Sequence, residues 1–133
     1  MTATATQTPT QTTAELDERL NQMVLEGSIL EAFDRFYDDN VVMQENALTP
    51  TAGKAANRAR EVKFVESIEQ FHGAQMLGSG TSADRSYSEW LMDVTFKGGI
   101  RVKLEQVAAR QWRNGKVIHE RFYFDGAHDS TAG

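Results

Sequence analysis

The stretch DRSYSEWLMDVTFKGGIRVKLEQVAARQWRNGKVIHERFYF, Asp84–Phe124, decides the fold. Three runs rich in β-branched and aromatic residues are divided by Gly98-Gly99 and by Asn114-Gly115, where glycine supplies the positive φ that tight hairpins need. Asp84 to Lys97, Arg101 to Trp112 and Lys116 to Phe124 are therefore expected to form an antiparallel meander. Reading Gly98-Gly99-Ile100 and Arg113-Asn114-Gly115 as three-residue loops sets Trp112 against Lys116 and Ala108 against Glu120. Alternation then gathers Ser88, Trp90, Met92 and Val94 on one face with Val102, Leu104, Gln106, Ala108, Arg110 and Trp112, and with Ile118, Glu120, Phe122 and Phe124. This face is the more apolar and is expected to turn inward. The opposite face mixes Glu89, Asp93, Lys103, Glu105, His119 and Arg121 with Leu91, Val107, Ala109 and Tyr123. That mixture suits water or the contact of a homodimer.

Upstream, Ala74 to Ser82 reads as one more strand, and the chain before it is mostly helical in pattern. Thr12 and Glu15 have capping-box spacing, and Leu16, Leu20, Met23 and Val24 recur at helical period until Gly27. Ser28 with Glu31 repeats the start signal for a second, short helix through Ala32, Phe33 and Phe36, closing near Asn40. Val41 to Glu45 is rich in strand formers, and Asn46 to Ala52, which holds Pro50, reads as a loop. From Lys54 to Phe71 the spacing of Ala55, Ala59, Val62, Val65 and Ile68 predicts the longest helix, with those residues inward. About three helices followed by a long meander give an α+β domain with its helices on one sheet face. Its limits are set at residues 13–125, with residues 1–12 and 126–133 as flexible polar tails.

The 133 residues, 40% of them hydrophobic and 25% charged, match a single soluble domain. A net charge of −5 and no basic cluster argue against nucleic acid as a partner. Met1 to Thr12 has neither the basic start nor the apolar run of a signal peptide or membrane anchor. With no cysteine, thiol catalysis, disulfides and thiolate metal sites are excluded. A cytoplasmic, non-membrane protein is the expectation.

Candidate chemistry follows from the alternation. Val41, Met43 and Glu45 share one side of the first strand, so Glu45 is a carboxyl at the end of an apolar face. Glu120 is the one acid on the inward face of the last strand. A carboxyl enclosed by apolar groups is pushed toward the range in which it exchanges protons near neutrality. Two readings of each stand side by side: Glu45 as a base or as a solvated rim residue, Glu120 as an acid–base group or as the ion-pair partner of Arg110. Gln106 either orients a ligand carbonyl or satisfies the backbone. Met43, Trp90, Met92, Phe122 and Phe124 are walls of a ligand pocket if one exists, and core otherwise. His72, expected to end the long helix, His119 and His128 lack metal-ligand spacing. No nucleophile elbow, phosphate loop or dinucleotide fingerprint is present, and no cofactor or metal is expected.

The order of a helix, Gly27, a short helix from Glu31-Ala32-Phe33 to Phe36-Tyr37-Asp38-Asp39, strand Val41 to Glu45, Gly53 and a long helix resembles the SnoaL-like polyketide cyclases. So does the closing segment Trp112-Arg113-Asn114-Gly115-Lys116-Val117-Ile118 with Glu120 and Phe122-Tyr123-Phe124-Asp125. The resemblance spans about Glu15 to Asp125 and implies the conical sheet, wrapped round a long helix, of the nuclear transport factor two-like superfamily. By that resemblance the general base of ketosteroid isomerase falls on Glu45, while the isomerase's two oxyanion donors fall on Leu20 and Ala108, which cannot donate. Limonene epoxide hydrolase's Asp-Arg-Asp set has no match. The late-strand acid of the polyketide cyclases has Glu120 as its nearest equivalent. The resemblance thus implies cofactor-free acid–base chemistry on a small, largely apolar carbonyl or polyketide-like molecule, with Glu45 and Glu120 catalytic. The alternative is a ligand-binding or dimerisation module without turnover.

Overall fold

The computed structural model describes residues 11–125. Helix α1, Thr13–Leu25, starts where the capping box places it: the Thr12 hydroxyl accepts from the Glu15 backbone N–H at 3.1 Å, and the Glu15 carboxylate accepts from the Thr12 N–H at 2.9 Å. Gly27, at φ 84°, ends the turn after it. Helix α2, Ile29–Phe36, begins after Ser28, whose side chain makes no cap hydrogen bond, contrary to its sequence signal. The helix stops four residues short of Asn40 because Tyr37 is already extended and opens strand β1, Tyr37–Glu45. Strand β2 is the short pair Thr51–Ala52, and helix α3 runs Lys54–Ser67.

The long helix differs from expectation at its end and in its rotation. Ile68 pairs with Phe96, so the residues from Ile68 onward belong to strand β3, Ile68–Ser82. His72 therefore lies in a strand, where its Nε2 is 2.7 Å from the Thr95 hydroxyl, and plays no part at a helix terminus. Ala55 and Ala59 are exposed, and Asn57 is the buried residue of α3. Its Nδ2 reaches the carbonyls of Thr51 and Gly53 at 2.9 Å and of Val41 at 3.3 Å, tying the helix start to β1 and β2.

Strands β4, Arg85–Phe96, β5, Ile100–Arg113, and β6, Lys116–Phe124, complete a curved, unclosed sheet in the order β2-β1-β6-β5-β4-β3. Neighbours are antiparallel except β1 and β6, which run parallel. Both turns depart from the expected register. The first loop is Lys97-Gly98-Gly99, with Phe96 opposite Ile100. The second is the two residues Asn114 and Gly115, both at positive φ, with Arg113 opposite Lys116 and a bulge between Gln111 and Trp112. Arg110 consequently faces Glu120, and Ala108 faces Phe122. The inward face survives these shifts because each is an even slip or is compensated by the bulge. The exception is Ile118: Val117, fully buried opposite Trp112, takes its inward place.

The apolar interior forms two clusters. One joins Leu20, Phe33, Phe36, Tyr37, Val41, Met43, Trp112 and Val117, and the other joins Met92, Val94, Phe96 and Leu104 with Phe64 and Ile68 of α3 and β3. No helix among the described residues is long and apolar enough to cross a membrane. His128 and the tail residues 1–10 and 126–133 lie outside the described residues.

Candidate functional site

Between the two clusters lies a cavity of about 620 Å³, within the size range of small-molecule sites. Leu20, Phe33 and Tyr37 bound it from the first cluster, and Phe64, Met92 and Leu104 from the second. Trp90, Met92, Gln106, Arg110, Phe122 and Phe124 all line it, as do Glu45 and Glu120. Met43 does not: its side chain is 3% exposed within the first core cluster.

Glu120 is fully buried at the inner wall, with both oxygens engaged. Arg110 Nε donates to Oε2 at 2.6 Å, and the Tyr37 hydroxyl donates to Oε1 at 2.6 Å. Arg110 Nη1 also donates to Asp17 at 2.8 Å and to Asn21 at 2.6 Å, and Ser86 donates to Asp17 at 2.7 Å. Trp112 closes the network on the Ser86 hydroxyl. Burial works against the Arg110 charge, yet Tyr37, Glu120 and Asp17 around it hold its pKa above the usual arginine value. Burial, together with the charge of Glu120, pushes the Tyr37 hydroxyl well up, so it stays a neutral donor. One guanidinium between two carboxylates leaves this buried network with a net charge of −1.

Glu45, at the end of β1 and opposite Phe122, lines the cavity half exposed, 3.3 Å from Arg60. The remaining carboxyl was not singled out by the sequence reading. Glu61 of α3 lines the cavity, is half-buried, and forms no ion pair or side-chain hydrogen bond among the described residues. Burial raises its pKa first, and the charges of Glu120 and Glu45 add to the effect against the opposing Arg60, so it is pushed up to about 7. Gln106 of β5 also lines the cavity with a side chain unengaged among the described residues, as does Lys63 of α3.

Three carboxyls of different character thus surround one apolar space. Glu120 is locked, Glu45 is paired at the rim, and Glu61 is free to hold or release a proton near neutrality. Among the described residues no group of three or more His, Asp or Glu side chains is placed to hold a metal ion.

A family model described as the SnoaL-like domain matches residues 11–124. A candidate SnoaL-like polyketide cyclase from Mesorhizobium loti is 26% identical, with 86% of this chain and all of that one covered at a TM-score of 0.77. A candidate SnoaL-like polyketide cyclase from Jannaschia sp. CCS1 shares the fold at 12% identity and a TM-score of 0.75, over 95% of this chain and 96% of that one. A candidate isomerase from Bacillus subtilis does so at 17% identity and a TM-score of 0.74, over 90% and 91%. No curated protein matches the sequence.

Proposed function

This chain belongs to the family of SnoaL-like domains, and on that premise we propose that its cavity binds a small, largely apolar carbonyl compound and moves a proton on it without a cofactor. The observation that carries the reading is a carboxyl, Glu61, that lines an apolar cavity with no ion pair or side-chain hydrogen bond among the described residues, where burial pushes its pKa up to about 7. Ionised Glu61 takes a proton from the carbon next to the carbonyl. The electron pair of the broken C–H bond moves to the carbonyl oxygen, and the Gln106 carboxamide donates to that oxygen as it becomes negative. Protonated Glu61 then returns the proton. Delivery to a different carbon gives an isomer; attack of the enolate carbon on a second carbonyl closes a ring, and the new alkoxide takes the proton.

Glu45 and Glu120 have different parts in this reading. Glu120 faces the reacting region but is held by Arg110 and Tyr37, and it acts on Glu61 through its charge. Glu45 positions Arg60 at the rim. The mixed outer face, with Tyr87, Val107 and Tyr123 exposed, is the proposed surface of a homodimer.

Proton exchange tests the assignment without knowledge of the product. The protein is incubated in deuterated buffer with 2-tetralone, whose binding is first verified by calorimetry, and loss of its α-proton signal is followed by NMR. Exchange above the buffer rate, lowered at least about 100-fold in Glu61→Gln, is expected. Binding without exchange would leave a passive pocket, and exchange that survives Glu61→Gln but fails in Glu45→Gln would move the base to Glu45.

A further inference from the structure

Helix α3 carries four cations in Lys54–Ser67, and the structure separates them into two pairs. Lys54 donates to the Asp34 carbonyl, and Arg58 grips the Asp34 carboxylate at 2.7 and 3.0 Å, so both are committed to α2. Arg60 and Lys63, one turn apart, instead line the solvent edge of the cavity beside exposed Leu48. Lys63 has no ion pair or side-chain hydrogen bond among the described residues. Among the described residues Arg60 has loose partners, Glu45 at 3.3 Å and the Thr51 hydroxyl at 3.5 Å, and the ion pair is exposed on both sides (42% and 39%).

The charges round the cavity are therefore unevenly placed. On its inner wall Arg110 and Glu120 offset each other, with Asp17 also holding Arg110 from outside the lining, while at its rim Arg60 and Lys63 stand against Glu45 among the described lining residues. This is opposite to the chain as a whole, whose net charge is −5. Deep in the cavity the cation Arg110 is already held by Glu120, Asp17 and Asn21, so a ligand anion there would have to compete with two carboxylates for it while also meeting Glu61. At the rim the same anion meets Lys63 directly and competes with Glu45 for Arg60, a contact weak enough to yield.

We infer that the ligand is an organic acid, with an apolar, carbonyl-bearing body in the cavity and a carboxylate at the rim against Lys63 and Arg60. The inference rests on the cavity's being a ligand site, as proposed above. The rim contact orients the molecule: the charged end is held outward, and the neutral carbonyl end is carried inward between Glu61 and Gln106. It also separates acids from their esters, which have the same apolar body and no charge for the rim to hold.

The experiment compares 2-naphthylacetic acid with its methyl ester by calorimetry on the full chain at low ionic strength. The acid is expected to bind about fivefold more tightly than the ester, with an advantage that shrinks as salt is added. In Lys63→Gln that ratio should fall toward one, whereas Lys63→Arg should keep it. If the ester binds as well as the acid, or if Lys63→Gln leaves the ratio intact, the anionic ligand is ruled out while the cavity keeps its role. If neither compound binds, this inference and the reading beneath it fall together.

Discussion

Replacing Glu61 by Gln should make the protein more stable at alkaline pH while removing the proton carrier. Below about pH 4.5 Glu61 is protonated in both the folded and the unfolded chain, so its ionisation contributes nothing to the difference. As pH rises above that value the unfolded chain releases the proton, but the folded chain keeps it until about pH 7. The folded state then binds more protons, and stability falls with rising pH until both states are ionised. A rise from 4.5 to about 7, at about 1.4 kcal/mol per pH unit, amounts to about 3 kcal/mol. That figure is an upper value, since water entering the cavity solvates the carboxylate. Urea unfolding at about pH 4.5 and about pH 8.5 measures it, because Gln carries no titrating proton. Glu61→Gln should gain up to about 3 kcal/mol relative to wild type between the two pH values. A difference that does not change with pH would mean that Glu61 titrates as an ordinary surface carboxyl, and the reasoning would fail.

Other perturbations separate the network from the cavity. Arg110→Met should cost about 3–5 kcal/mol in urea unfolding, because Asp17 and Glu120 lose the guanidinium that both share; a cost under about 1 kcal/mol would mean that the two carboxyls accept protons instead. Glu120→Gln should lower the pKa of Glu61, since a charge that raises it is removed, and a pH profile of α-proton exchange shifted to lower pH is the readout. Thr12→Ala should cost about 1 kcal/mol, seen as a lower melting temperature, through loss of the capping box at the start of α1. A homodimer joined through the sheet's outer face should dissociate in Val107→Lys/Tyr123→Lys, read by sedimentation velocity, and a monomeric wild type would discard that surface.

The strands and their faces were legible because alternation is a strong signal on a sheet with one buried side. Trp90, Met92, Val94, Leu104, Ala108, Arg110 and Trp112 turn inward as read, even though both hairpin loops differ in position or length. The second loop shows the limit: Asn114-Gly115 is a two-residue turn, and a bulge near Ile118 absorbs the missing residue, which periodicity alone does not reveal. Helix α3 was the main loss. Its inward residues, Asn57, Glu61, Phe64 and Ser67, form no apolar stripe, because that face covers a cavity rather than packing into core. Hydrophobic period favours Ala55, Ala59, Val62, Val65 and Ile68, of which the two alanines are exposed and the other three half-buried, and it passes over Glu61. The available signal was Glu61 itself, one turn before Phe64 on a helix whose expected apolar face began with two alanines. Ser67 ends that helix with its hydroxyl on the Phe64 carbonyl, and β-branched Ile68 then enters the sheet opposite Phe96.

The direct test of the account is the titration of the Glu61 side-chain carboxyl by carbon-detected NMR on glutamate-labelled protein, with Glu61→Gln to assign the resonance. The expected midpoint is about 7, moving when a ligand enters the cavity. A midpoint near 4.5, unmoved by ligand, would contradict it.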